Sequence, residues 1–392
     1  MRICLVSIHP RLLSGQINSL VGLARGLRER GHEVRLVTAF AETRLLDTDR
    51  IYGPEASAGL LLSKLARVVR IVRRLQDAAV DADVVQLNLP TPSFSIVGDF
   101  VQAILRRPIV VGFEAHLPSA GDLLGPRMAA APQFYLPQLL VNNRLVARAS
   151  RFRASRYVVA SSLQASELES FGVSPKRISV IPNLIDVERL HEELDPDTTP
   201  MPTGGPIISY IGHFNHVKGV DVLVRAMPEV LREYPGAQLV LAWSGLGPNQ
   251  PIRRAIEEAG VGDHVHIIGR VPVSGLIRQS DVFALPYRLT VGQAAFPGLV
   301  LEAMATGVPL VTSDLPLLRE LIEPGREGQL AKPEDPGDVA RSIVQLLDDP
   351  DRCRAMVQSQ GRLMRSSFDS DRLIERYEEV YGTGVATYSG HR

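Results

Sequence analysis

AAFPGLVLEAMATGVPLV, residues 294–311, reads as a buried helix running into a buried strand, with a single acid between its ends. The aliphatic and small letters from Leu299 to Thr306 suit a helix, Gly307 supplies the residue that ends it, and a strand over 308–312 follows. The start at Gly298 leaves N–H groups with no intrahelical acceptor, which suits a phosphate. Glu302 has no packing reason to stand in such a run. It is either a solvated carboxylate on an exposed helix face or a group that meets a ligand.

The same alternation extends both ways. Upstream, apolar β-type runs at 2–8, 34–38, 83–89, 109–113, 157–160 and 178–181 are separated by amphipathic stretches that include 17–30, 61–76 and 163–171. Strands that are nearly all Val, Ile and Leu, spaced by helices, imply a parallel sheet covered on both faces. Residues 192–206, EELDPDTTPMPTGGP, are too polar and too broken to belong to a core and read as a linker. Strands then resume at 207–212, 238–242, 265–268, 282–285, 308–312 and 328–331, with helices near 219–233, 252–259, 299–305 and 336–347. The expected fold class is α/β, with two doubly wound, Rossmann-like parallel-sheet domains facing across a cleft. Their bounds are 1–191 and 207–365, with 192–206 as the linker and 366–392 as a last segment.

Composition narrows the function. At 392 residues, 45% hydrophobic and 22% charged, the chain can bury two ordinary cores. It has no run of eighteen apolar residues and no cleavable leader, so a soluble, unexported, cytoplasmic protein is expected. Cys4 and Cys353 are too few for a disulfide framework or a thiolate metal site and read as inert core thiols. Residues 1–190 hold 24 Lys and Arg against 16 Asp and Glu, and the remainder 19 against 27. That polarity fits an anionic surface or substrate at the N-terminal half, or two domains of opposite charge. The turn after the first strand lacks Gly-x-Gly-x-x-Gly and no P-loop occurs, so neither a dinucleotide oxidoreductase nor a P-loop nucleotidase is expected. None of the five Asp-x-Asp pairs directly follows a strand, so no metal and no cofactor are expected.

Strand 207–211 runs into Gly212-His213-Phe214-Asn215-His216-Val217-Lys218-Gly219. Lys218 at a strand's carboxyl end can reach a phosphate as a point charge with His213 as a second donor, or it is simply a solvated turn lysine. The next strand ends in a second turn, where Ser244, Gly245 and Gly247 permit close backbone approach to a ligand. Residues 60–76, LLLSKLARVVRIVRRLQ, put Leu61, Leu65, Val68, Val72 and Leu75 on one face and Lys64, Arg67, Arg70 and Arg74 on another. This is either an ordinary surface helix or one that rests on an anionic bilayer. The cluster Arg144, Arg148, Arg151, Arg153 and Arg156 favours a peripheral membrane contact, at the inner face, or a phosphorylated acceptor. Nucleic acid is not an expected partner, because these arginines lack interleaved aromatics for base stacking.

Several blocks in order resemble the nucleotide-sugar-dependent glycosyltransferases of family 4 (glycosyl transferases group 1), with the GT-B fold. They are ARGLRERGHEVRLVT at 24–38, VIPNLIDVERL at 180–190, YIGHFNHVKGVDVLVRA at 210–226, IIGRVP at 267–272, SDVFALPY at 280–287, LEAMATGVPLVTSD at 301–314 and RELIEPGREGQL at 319–330. The tail FDSDRLIERYEEVY at 368–381 resembles the family's last helix, which crosses back to the N-terminal domain. The resemblance implies a nucleotide diphosphate sugar as donor, transfer without a metal, and retention at the anomeric carbon. It implies a diphosphate contact at Lys218 and at Gly298 and Leu299, a nucleobase contact at Arg270 and Val271, and a ribose contact at Glu302; Gly212, His213 and Gly245, in the turns at the ends of the same strands, are the further donor candidates. Ala294 stands where the family has the first acid of its paired motif, and His213 stands for its usual arginine. Glu114 takes the register of the acceptor-side histidine, with His116 two residues on; strand alternation would point both to one side, as the catalytic candidates. Gly15 and Gln16 at the first strand's exit are the candidate contacts for a sugar or lipid-linked acceptor. Two rivals stay open: a binding scaffold with a degenerate site, and a sugar-nucleotide epimerase of the same architecture.

Overall fold

A computed structural model of the chain describes residues 1–7, 15–38, 75–117, 144–185, 190, 201–289 and 296–389, with the backbone alone over 15–17. They form two compact units. One comprises 1–185 with 291–295 and 368–392, and the other 186–290 with 296–367.

The first unit carries β1 (Arg2–Ser7), β2 (Glu33–Thr38), β3 (Val84–Leu89), β4 (Ile109–Phe113), β5 (Arg156–Val159) and β6 (Ile178–Val180). Among the described residues these form one parallel sheet in the order β2-β1-β3-β4-β5-β6. Side chains alternate between two cores. Ile3, Leu5, Val84, Val110 and Val158 pack with Leu20, Leu23 and Leu27 of the helix Gly15–Glu29 and with the chain's last helix, Ser370–Ser389. Cys4, Val6, Val85, Leu87 and Val111 face the opposite layer, which includes Ala78, Val101 and Leu168. Burial holds the Cys4 thiol up at about 12, which leaves it unreactive.

The second unit carries β7 (Ile207–Gly212), β8 (Gln238–Trp243), β9 (Val265–Ile268), β10 (Val282–Leu285), β11 (Leu310–Ser313) and β12 (Gln329–Ala331). Its sheet is also parallel, in the order β12-β11-β10-β7-β8-β9. Strand order reverses between β7 and β10, and in such sheets ligands lie outside the carboxyl ends of the strands at that point. The candidate donor residues must be sought there.

Several bounds differ from the sequence reading. The strand after Gly307 starts at Leu310 rather than 308, because Pro309 has no N–H to give the ladder, although its carbonyl accepts from Phe283 N at 2.9 Å. The helices Ser95–Leu105, Val273–Arg278 and Pro350–Ser367 were not anticipated as such. Of the basic stretch 60–76, all but the last two residues lie outside the described residues, as do most of the linker 192–206 and Ala294.

Candidate functional site

In the second unit, β7 ends at Gly212 and the chain turns through a single 3₁₀ turn, His216–Lys218, into the helix Val220–Glu233. Gly219 makes the passage with φ 65°, and a Cβ there would lie 1.9 Å from Pro286 O. No other residue fits without displacing backbone. Pro286, Tyr287 and Arg288, which leave β10, form the bed beneath this turn. The Lys218 ammonium lies 4.7 Å from the centre of the Tyr287 ring. Burial lowers its pKa to about 7. Tyr287 is wholly buried and its hydroxyl has no hydrogen-bond partner. Its pKa is pushed well up, first by burial and then by the Glu302 carboxylate.

Glu302 is half-buried, one turn into the helix Gly298–Thr306. Val300 and Leu301 donate to Pro297 O at 2.9 and 3.3 Å, whereas the first N–H groups, of Gly298 and Leu299, belong to those a helix cannot satisfy internally. Lys218 thus rests on a buried tyrosine that also feels the Glu302 carboxylate, and Glu302 stands one turn into the helix that opens at Gly298.

A second group gathers at the ends of β7 and β8. His213 Nδ1 and Ser244 Oγ share a hydrogen bond of 2.5 Å, Tyr210 Oη donates to His213 O at 2.9 Å, and Ser244 N donates to Gly212 O at 3.0 Å. Arg270 is exposed and its Nε donates to Ser244 O at 2.9 Å, beside Gly245. Val271 packs against Val240, Ala242 and Leu276, so it is in part a core residue.

The first unit holds the acceptor-side candidates. The helix Gly15–Glu29 opens with Gly15 and Gln16, whose side-chain surroundings are outside the described residues. Glu114 follows β4 directly and lines a small cavity of ≈ 50 Å³ with Ser19, Asn88, Asn183 and Tyr377. Its Oε2 is buried without a hydrogen-bond partner, and burial raises its pKa to about 7. The strand on which the alternation through His116 rests stops short of it. β4 ends at Phe113, and beyond it Glu114 N and Ala115 N donate to the consecutive carbonyls Leu89 O and Pro90 O at 3.0 and 2.9 Å, while Ala115 and Leu117 are buried and Glu114 and His116 half-buried. Glu167 was not singled out from sequence, yet both its oxygens accept from Leu117 N, at 3.2 and 3.1 Å, and burial raises its pKa to about 7. No group of three or more His, Cys, Asp or Glu able to hold a metal lies among the described residues.

The glycosyltransferase family 4 model matches residues 13–189, and the model described as glycosyl transferases group 1 matches 205–349. The chain is 28% identical over 231 residues to glycogen synthase of Mycobacterium tuberculosis, covering 57% of this chain and 52% of that protein. It is 25% identical over 401 residues to phosphatidyl-myo-inositol mannosyltransferase of Mycolicibacterium smegmatis, covering 98% and 95%. The chain therefore spans about half the length of the first relative and nearly all of the second. Anabaena HepE, solved in complex with UDP-glucose, superposes with a TM-score of 0.73 at 18% identity over 98% of this chain and 100% of that one, a likeness of fold. The two models together match most of the chain, which belongs to the family 4 (group 1) glycosyltransferases and has the GT-B fold.

Proposed function

We propose that the chain transfers a hexose-type sugar from a nucleoside diphosphate donor, held by the second unit, to a hydroxyl of a sugar or lipid-linked acceptor, held by the first. The observation that carries this reading is the Lys218 ammonium on the Tyr287 ring, with the Glu302 carboxylate acting on the same tyrosine from one turn into the helix that opens at Gly298. An ammonium and free N–H groups stabilise the charge on a departing diphosphate, and a carboxylate one helical turn away suits the ribose hydroxyls. In the reaction the bond from C1 to the diphosphate oxygen breaks and the acceptor oxygen bonds C1. The acceptor proton leaves to a base, for which Glu114 and His116 are the candidates, and the nucleoside diphosphate departs. Because positive charge is already supplied by side chains, transfer proceeds without a resident metal. Retention of configuration is taken from the family resemblance.

Release of nucleoside diphosphate from a panel of UDP, GDP and ADP sugars tests the reading, and absence of binding to the whole panel by calorimetry would reject it. Glu302→Ala removes hydrogen bonds to a charged group, each contributing about 1.5–3 kcal/mol, so donor affinity should fall at least about tenfold. Unaltered affinity would sink the ribose assignment.

A peripheral contact with anionic membrane is proposed as well. Ile96 and Phe100 are 54% and 57% exposed and one turn apart on the helix Ser95–Leu105. Asp99 of the same helix accepts from Arg151 N and Arg153 N at 2.7 and 2.8 Å, which brings that basic segment beside them. Leu145 on the neighbouring helix Arg144–Ala149 is 70% exposed. Apolar side chains flanked by arginines suit a surface of anionic headgroups. No helix among the described residues is long and apolar enough to cross a membrane. Flotation with anionic vesicles, lost on Phe100→Ser and at high salt, is the expected outcome.

A further inference from the structure

We infer that Arg288, which no motif of the sequence marks, is the positioning residue that fixes Lys218 for the donor diphosphate; this rests on the donor reading given above. Arg288 is 6% exposed. Its guanidinium grips Asp221 with two bonds, Nη1 to Oδ1 at 2.7 Å and Nη2 to Oδ2 at 2.6 Å, and Nη1 also donates to His216 O at 2.9 Å. Its Nε donates to Glu334 Oε1 at 3.3 Å, and its own backbone N–H donates to Val217 O at 2.9 Å. Two consecutive carbonyls of the 3₁₀ turn that ends in Lys218 are therefore held by one residue.

Asp221 lies in the first turn of the helix that follows Lys218 and also accepts from Arg225 at 2.6 Å. The guanidinium thus ties the segment before Lys218 to the segment after it, while Gly219 rests on Pro286 O and the Lys218 ammonium on the Tyr287 ring. Three successive residues, Pro286 to Arg288, set the turn, the helix entry and the lysine head. A fork of fixed donors can hold a carboxylate and a carbonyl together, and a lysine at 288, with one nitrogen, cannot reproduce that geometry. Arg288 itself has no need to touch the donor. Its effect passes through Lys218.

The test uses inorganic pyrophosphate, which probes the diphosphate contact whatever the base or sugar, titrated calorimetrically into the full chain and into Arg288→Lys, Lys218→Gln and the double variant. Arg288→Lys should bind pyrophosphate about tenfold more weakly, the size of one charged hydrogen bond. In the Lys218→Gln background the same substitution should have no further effect, since coupled residues are non-additive. A purely structural role would weaken binding by the same factor in both backgrounds and overturns the inference, as does unchanged affinity in Arg288→Lys. If Lys218→Gln binds as well as the parent chain, or the parent chain does not bind at all, the donor reading fails instead.

Discussion

At the scale of single residues, Lys218 is a side chain whose chemistry is far displaced by its surroundings. Burial on the Tyr287 ring lowers its pKa to about 7, so without a ligand it is charged at pH 6 and largely neutral at pH 8. A diphosphate needs the charged form, whereas the diester phosphates of a sugar nucleotide do not titrate in that range. Donor affinity should therefore fall as pH rises through about 7, by up to about tenfold per unit while protonation must accompany binding. Lys218→Arg keeps its charge throughout and should give a flat profile between pH 6 and 8.5. Calorimetry across that range decides; a flat profile in the unaltered chain would remove the buried-lysine account. Glu114 is the counterpart in the first unit, a carboxyl raised to about 7 by burial alone and lining a cavity. As a base it works only when ionised, so Glu114→Gln should lower turnover most at pH 8, where the carboxylate dominates, and least at pH 6. Equal loss at both values would assign it a structural role.

At the scale of elements, the turn after β7 shows how backbone geometry serves the site. Gly219 combines φ 65° with direct contact on Pro286 O, so Gly219→Ala must displace one backbone segment from the other. Strain of this kind costs of order 1–3 kcal/mol, visible as a lower denaturation midpoint, and it should loosen donor binding because Lys218 is the adjacent residue. An unchanged midpoint would mean the two segments are not in contact. The same element shows what the sequence disclosed. His213, Lys218, Gly298 and Glu302 stand out because they break apolar strand or helix runs, and the structure puts the first two in the turn after β7 and the last two on the helix before β11. Tyr287 and Arg288 gave no such signal. Arg288 meets Asp221 across 67 positions, and nothing local announces a pairing set by β10 lying next to β7. Helices were missed for a related reason. Ser95–Leu105 turns Ile96 and Phe100 outward, so its apolar letters do not mark a buried stripe, while the strands, apolar on both faces, were plain. Glu114 and His116 were linked by extending strand alternation past Phe113, where β4 ends.

At the scale of the whole molecule, the two compact units are not two continuous stretches of chain. The final segment, 368–392, belongs with residues 1–185, although the intervening sequence builds the other unit. Leu373, Ile374, Tyr377, Val380 and Tyr381 of the helix Ser370–Ser389 are buried in the core that also holds Ile3, Leu5, Leu23 and Val110. The Tyr381 hydroxyl donates to Gln86 Oε1 inside that core. Arg30 pairs with Asp371, Glu375 and Glu378, and His32 Nε2 lies 2.6 Å from Glu378 Oε1, which ties the outer edge of the same helix to the first unit. Burying a large apolar side chain contributes about 1.5–3 kcal/mol. Five of them together match the 5–15 kcal/mol by which a whole domain is stable. A chain ending at Ser367 should therefore lose the first unit's cooperative unfolding while the second unit, 186–290 with 296–367, keeps its own. Donor-side probes should follow suit: pyrophosphate binding, read from Lys218, survives the truncation, and transfer to acceptor is abolished. Calorimetric scanning of the shortened chain measures the first claim, and two intact transitions in it would show that the last helix is an attachment to the first unit rather than part of its core.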